Sequence, residues 1–259
     1  MKWMFNYIAI TNNVEHALVL DSCGIQQIMV DTEILGKAIR QSGLNAVINT
    51  HKIDDVAKLK NSGIKAKVIC RINGFHESII LEIEQAVNAG TDILMLPMIQ
   101  NIDDFKFMVE QVNNRAAILP LIETPYSIFK LKEIINIARP RQVHFGLNDL
   151  HLSLGMKNLF EVLLSHAFSS AVGFASNKVE LIGIGGIGDP SIPQKLNPSL
   201  LINEYKLLGS NSVILSRSFF TEGYDPDRIM GALNLLESMI CDVPNESKRA
   251  ELKNKIEKF

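Results

Sequence analysis

Short runs rich in Ile, Val and Leu recur along this chain, each followed by a polar turn and a stretch of mixed charge with helical periodicity. No other feature constrains the fold as strongly. Nine runs read as strands: Phe5 to Thr11, Gln27 to Asp31, Ala46 to Thr50, Lys67 to Ile72, Asp92 to Met98, Ala117 to Glu123, Gln142 to Gly146, Glu180 to Ile184 and Ser212 to Ser216. Most are continuously apolar, as parallel strands are when helices cover one face and a barrel interior the other. Between them lie amphipathic stretches, Asp54 to Asn61, Glu77 to Ala89, Ile102 to Val112 and Pro125 to Ile137, the first two followed by Gly63 and Gly90. Eight or nine such units in 259 residues predict an α/β fold, a (β/α)8 TIM barrel over residues 1–225, with Ala46 to Thr50 as the surplus run. An open doubly wound sheet is the runner-up, but fewer strands would be expected there. The tail 226–259 reads as two helices, an extension packing on the barrel or on a neighbouring subunit, the last one charged and without an apolar stripe.

Composition removes several function classes. Lys and Arg total 26 against 28 Asp and Glu, a formal charge of −2, so no basic excess is present to neutralise nucleic acid or hold an anionic membrane. No run reaches the ~18 apolar residues a membrane span needs, and the first residues carry no export signal. Cys23, Cys70 and Cys241 lie far apart with no C-x-x-C pair, which speaks against a disulfide framework or a zinc knuckle and for a reducing, cytoplasmic setting.

In such a barrel chemistry gathers where strands leave the ring. The polar residues there are Asp31 and Glu33, His51, Arg71 and Asn73, Gln100 and Asn101, Glu123 and Thr124, Asn148 and Asp149, and Arg217. Two carboxylates at neighbouring strand ends, ~4.8 Å apart between strands, repel unless a cation or proton lies between them. Glu123 and Asp149 meet that condition, and with oxygen ligands alone a Mg2+ or Mn2+ type of ion is the natural occupant. The plainer reading, in which each acid caps the following helix, stays open on spacing alone.

Four segments in order resemble the HpcH/HpaI aldolase and citrate lyase β-subunit family. They are Arg71 within Val68-Ile69-Cys70-Arg71-Ile72-Asn73; Gly90 to Met98; Ile122-Glu123-Thr124; and Phe145-Gly146-Leu147-Asn148-Asp149-Leu150 with Leu154-Gly155. The resemblance runs from about Tyr7 to Phe220. It implies a barrel of the phosphoenolpyruvate/pyruvate-binding type, a carbon–carbon lyase that joins or splits a 2-oxo acid and an aldehyde with a divalent cation. Carried over, it makes Glu123 and Asp149 the metal ligands and Arg71 the group that holds and polarises the oxo acid. A guanidinium offers an enolate a fixed, forked contact, and an oxo acid would supply the anion Arg71 needs. Backbone N–H groups of Gly146, Leu147 and Asn148, up to Asp149, are placed to take the substrate carboxylate. Members of the family commonly assemble through C-terminal helices, which implies a homo-oligomer.

Departures from the pattern matter as well. In the aldolase branch a histidine follows the glutamate after the second strand, whereas Glu33 is followed by Ile34, and the glutamine two places before the metal-binding glutamate is Leu121. The segment Asp31-Thr32-Glu33-Ile34-Leu35-Gly36-Lys37 looks closer to the acid-rich segment of the citrate lyase β subunit and is associated with bacterial surface-carbohydrate metabolism. His51 is the candidate replacement base, against the plainer reading of a helix-capping or surface histidine. Asp31 and Glu33 either orient Arg71, hold cation-bound water, or cap. His76, His144, His151 and His166 stand at unrelated spacings and read as structural. Gly183 to Gly188 satisfies G-x-G-x-x-G, but Pro190 and Pro193 follow at once and no acid ~20 residues on takes a ribose, so the dinucleotide reading is rejected for a glycine-rich turn near substrate. Alternatives to the aldolase are a citrate-lyase-like acyl-CoA lyase and a non-catalytic oxo-acid-binding or assembly subunit.

Overall fold

The computed structural model describes residues 3–36 and 50–258. Eight parallel strands close into a barrel in sequence order: β1 (Asn6–Ile10), β2 (Gln27–Asp31), β3 (Lys67–Arg71), β4 (Ile93–Leu96), β5 (Ala117–Ile122), β6 (Gln142–Phe145), β7 (Leu181–Ile187) and β8 (Ser212–Leu215), with β8 pairing back on β1. The surplus run, Ala46 to Thr50, falls almost wholly outside the described residues, and the ring closes without it.

Helices among the described residues cover the outside: α1 (Val14–Ser22), α2 (Asp54–Asn61), α3 (Ile79–Asn88), α4 (Ile102–Val112), α5 (Pro125–Phe129), α6 (Leu131–Ala138), α7 (Leu147–Ser153), α8 (His166–Ser176), α9 (Pro198–Leu207), α10 (Pro226–Cys241) and α11 (Glu246–Ile256). The stretch from Pro125 to Ile137 is thus two helices meeting at Lys130. Of the two tail helices, α10 packs against both α9 and α1 and so completes the helical ring. Only α11 is an addition. Its stripe is two residues wide, Leu252 and Ile256, one helical turn apart and both buried, and Arg249 reaches buried Glu204 on α9 at 3.3 Å. A two-residue stripe is too little for periodicity to register.

Alternate strand residues face inward, so the interior is stacked in layers. Ile8, Met29, Ile69, Ile93, Met95, Leu119 and Leu121 form its apolar middle. Below them the first residues of four strands make a neutral polar floor. Asn6 donates through Nδ2 to Gln27 Oε1 (3.1 Å) and Ser212 Oγ (3.0 Å), and Gln27 Nε2 donates to Gln142 Oε1 (2.9 Å).

Strand β7 runs three residues further than its apolar pattern suggests, so the glycines are in the sheet, with a register shift between Gly183 and Gly186. A Cβ on Gly183 would lie 2.1 Å from His144 Nδ1. The neighbouring strand's imidazole occupies the space a side chain would need.

Candidate active site

Asp31 and Arg71 are register partners at the ends of β2 and β3, so both side chains enter the same interior layer. Arg71 donates through Nε to Asp31 Oδ1 (2.7 Å) and through Nη2 to Asp31 Oδ2 (2.8 Å), and Glu33 Oε2 stands 3.6 Å from Nε. Burial works against the guanidinium charge, but Asp31, Glu33 and Glu123 together hold its pKa above the ordinary arginine value. The anion that Arg71 needs is therefore supplied first by Asp31, a correction to the expectation that substrate alone supplies it. Asp31 orients the arginine in a two-pronged pair and leaves Nη1 as the arm that it does not take.

The acid-rich segment is pinned from behind. Thr32 donates its backbone N–H and hydroxyl to Arg71 O, and Asn73 Oδ1 accepts the N–H groups of Ile34 (2.9 Å) and Leu35 (2.8 Å). Asn73 in turn donates through its backbone N (3.1 Å) and Nδ2 (2.9 Å) to buried Glu82 of α3. Nothing in the strand-end pattern singles out Glu82, because it reaches this cluster from the outer helices.

Glu123 follows β5, buried, with Oε1 accepting the Met98 N–H at 2.9 Å. Met98 sits at φ 51°, a conformation costly for a residue with a side chain, which aims that N–H at the carboxylate. Thr124, not Glu123, caps α5, exchanging hydrogen bonds with Ser127. Asp149 lies in the first turn of α7, whose N-cap, Gly146, makes no side-chain cap bond. The helix-capping alternative therefore fails for Glu123. Burial, then Glu33 and Asp149, push the Glu123 carboxyl up to about 8, against the pull of Arg71 and the Met98 N–H. A Cβ at Gly146 would stand 2.9 Å from Glu123 Cβ and 3.0 Å from its Oε2, so the bare glycine leaves room for the acid.

Arg71, Glu123, Gly146, Leu147, Asn148 and Asp149 all line one open cavity of about 610 Å3 at the C-terminal mouth of the barrel. His51 does not line it. Its Nδ1 accepts the backbone N–H of Asp31 at 3.0 Å, so the lone pair that a neutral base would use is committed to fastening the end of β2. Asn101 caps α4 through its side chain. His144, read as structural, lies inside the barrel and touches the cavity; its Nε2 faces Gly185 O at 3.1 Å, and burial holds its imidazole down at about 4, hence neutral.

The profile of the HpcH/HpaI aldolase/citrate lyase family matches residues 45–181, more than half of the sequence. The chain belongs to this family. A crystal structure of a family protein from Burkholderia cenocepacia superposes with a TM-score of 0.62 at 15% identity, covering 83% of this chain and 90% of that one. That of an HpcH/HpaI aldolase from Desulfitobacterium hafniense gives 0.57 at 15% identity, covering 93% and 94%. At that identity the likeness speaks for the barrel alone. No curated protein matches the chain.

Membership in the HpcH/HpaI family places the chain among lyases and aldolases, a group typically dependent on a divalent cation. The mouth suits such an ion: Asp31, Glu33, Glu123 and Asp149 crowd round one guanidinium, and the Glu123 carboxyl is unstable as an anion there. Among the described residues no group of three or more His, Cys, Asp and Glu converges as a full metal shell. Two carboxylate oxygens would come from the chain, the rest from water or substrate, as suits Mg2+ or Mn2+. No described helix is long and apolar enough to cross a membrane.

Proposed function

We propose that the chain is a divalent-cation-dependent carbon–carbon lyase that makes or breaks an aldol bond at the methyl carbon of a pyruvate-type 2-oxo acid. The observation that carries this reading is the buried acid cluster of the mouth, which keeps Glu123 at about 8 beside an arginine already oriented by Asp31. A fold gains no stability from such crowding, so a ligand is its natural complement. Glu123 and Asp149 would hold Mg2+ or Mn2+, which when bound supplies positive charge beside the carbonyl and carboxylate oxygens of the oxo acid. Arg71 binds the enolate oxygen through the arm that Asp31 leaves, and because Asp31 fixes the guanidinium plane beforehand, the contact needs little reorganisation as charge develops. The backbone of Gly146, Leu147 and Asn148 borders the carboxylate end of the substrate. A homo-oligomer remains part of the proposal.

The test needs no knowledge of the aldehyde. Pyruvate in deuterated water with Mg2+ or Mn2+ should lose its methyl proton signal when the protein is added, and chelation should stop the loss. Asp149→Ala should abolish both the exchange and cation-dependent pyruvate binding in calorimetry. Unchanged exchange in that variant would remove the cation-site assignment.

A further inference from the structure

The two sides of the mouth differ in chemistry. Glu123 and Asp149 are the acids that line the cavity, and both belong to the β5–β6 side. Across the ring, the wall beyond β7 and β8 carries Lys195 and Arg217, both exposed, with Ser216 and Ser218 beside them. In an eight-stranded ring β3, which carries Arg71, and β7 stand opposite one another. An oxo acid on Arg71 therefore meets its aldehyde with the aldehyde's tail running toward the cationic wall.

That wall is built for acceptor oxygens. Ser216 and Ser218 hold their hydroxyl oxygens 2.8 Å apart, and Gly186 and Gly188 bring backbone without side chains to the same surface. The nearby acid is engaged elsewhere: Asp189 is buried, with Oδ2 accepting from Arg228 Nη1 (2.5 Å) and Oδ1 from the Ser191 N–H (2.8 Å) and hydroxyl (2.5 Å). Two cations and two hydroxyls suit a dianion with three acceptor oxygens better than a single carboxylate.

We infer that the second substrate carries a phosphate monoester, held at Lys195, Arg217, Ser216 and Ser218, so that the aldehyde is a short phosphorylated one. This deepens the aldolase reading and rests on it for the word aldehyde, but the anion site itself is open to a separate test. Glycerol 3-phosphate, a non-reacting stand-in, is titrated by calorimetry into the protein saturated with pyruvate and Mg2+, with glycerol, succinate and coenzyme A as comparison ligands. The expected result is binding of glycerol 3-phosphate but not of glycerol, weakened about tenfold or more in the Lys195→Ala/Arg217→Gln double variant, since each lost contact is to a charged group. The single variants guard against a folding defect in the double one. No binding, or binding that the variants leave unchanged, overturns the inference. Equal affinity for succinate also overturns it, by showing that any anion suffices, and stronger binding of coenzyme A overturns it in favour of a thioester. Wild-type pyruvate exchange judges the aldolase reading by itself, so the two failures are distinguishable.

Discussion

The two ends of the barrel interior are built from the same strands and could hardly be less alike. At the floor, Asn6, Gln27, Gln142 and Ser212 are neutral and satisfy one another with hydrogen bonds near 3 Å, so the polar groups are buried without charge. At the mouth, four carboxylates surround one arginine, a main chain at φ 51° directs an N–H at Glu123, and that acid is driven up to about 8. The floor is arranged as stability requires. The mouth departs from that arrangement, and such departures gather where a ligand is bound.

The largest effect expected from breaking this contrast lies at Arg71. Arg71→Lys keeps the positive charge but loses the fork on Asp31 and the remaining arm, so pyruvate exchange should fall on the order of 10²-fold or more, with turnover hit harder than pyruvate binding. The measurement is exchange rate against pyruvate concentration with the cation present, the fold checked by circular dichroism. Wild-type rates would make this arginine as structural as the floor amides.

A floor substitution should do the reverse. Gln27→Leu leaves Gln142 without its donor and Asn6 with one acceptor fewer, at a cost of about 1–3 kcal/mol in stability. Thermal or urea unfolding should register that loss while exchange per folded molecule stays at the wild-type rate. An activity loss as large as that at Arg71 would show that the two ends are coupled.

The smallest effect is a pH slope. Because the Glu123 carboxyl is raised from 4.5 to about 8 on folding, the folded state binds the proton more tightly, so its contribution is fully present below the unfolded value and is lost as pH rises through about 8. Protein stripped of divalent cations should melt at lower temperature at pH 9 than at pH 6. Glu123→Gln should flatten that slope, and added Mg2+ should flatten it in the wild type. His144 titrates in the opposite sense, its neutral form favouring the fold above 6.5 and that support draining away as pH falls to about 4, so the slope of interest lies on the alkaline side.

Much of the barrel was legible because its strands are buried on both faces and read as continuous apolar runs, and because acids that end such runs must emerge at the mouth. That reasoning reached Arg71, Glu123 and Asp149, which line one cavity. It stopped short in β7, where glycines hide a strand from any hydropathy rule, and at α11, whose stripe is two residues. Spacing along the chain likewise offered no decision between His51 as base and His51 as fastening, since the outcome turns on one backbone N–H twenty residues away.

The sequence by itself determined the repeat of strand and helix, the class of barrel and the family, because each follows from local periodicity and short motifs. Only the tertiary structure decided which charges answer which. Asp31 rather than substrate is the first partner of Arg71, Glu33 and Asp149 together raise Glu123, and the cations beyond β7 and β8 face the acids across the mouth. Coulomb interactions depend on distance and burial, and neither is set until the ring closes and water is excluded from it.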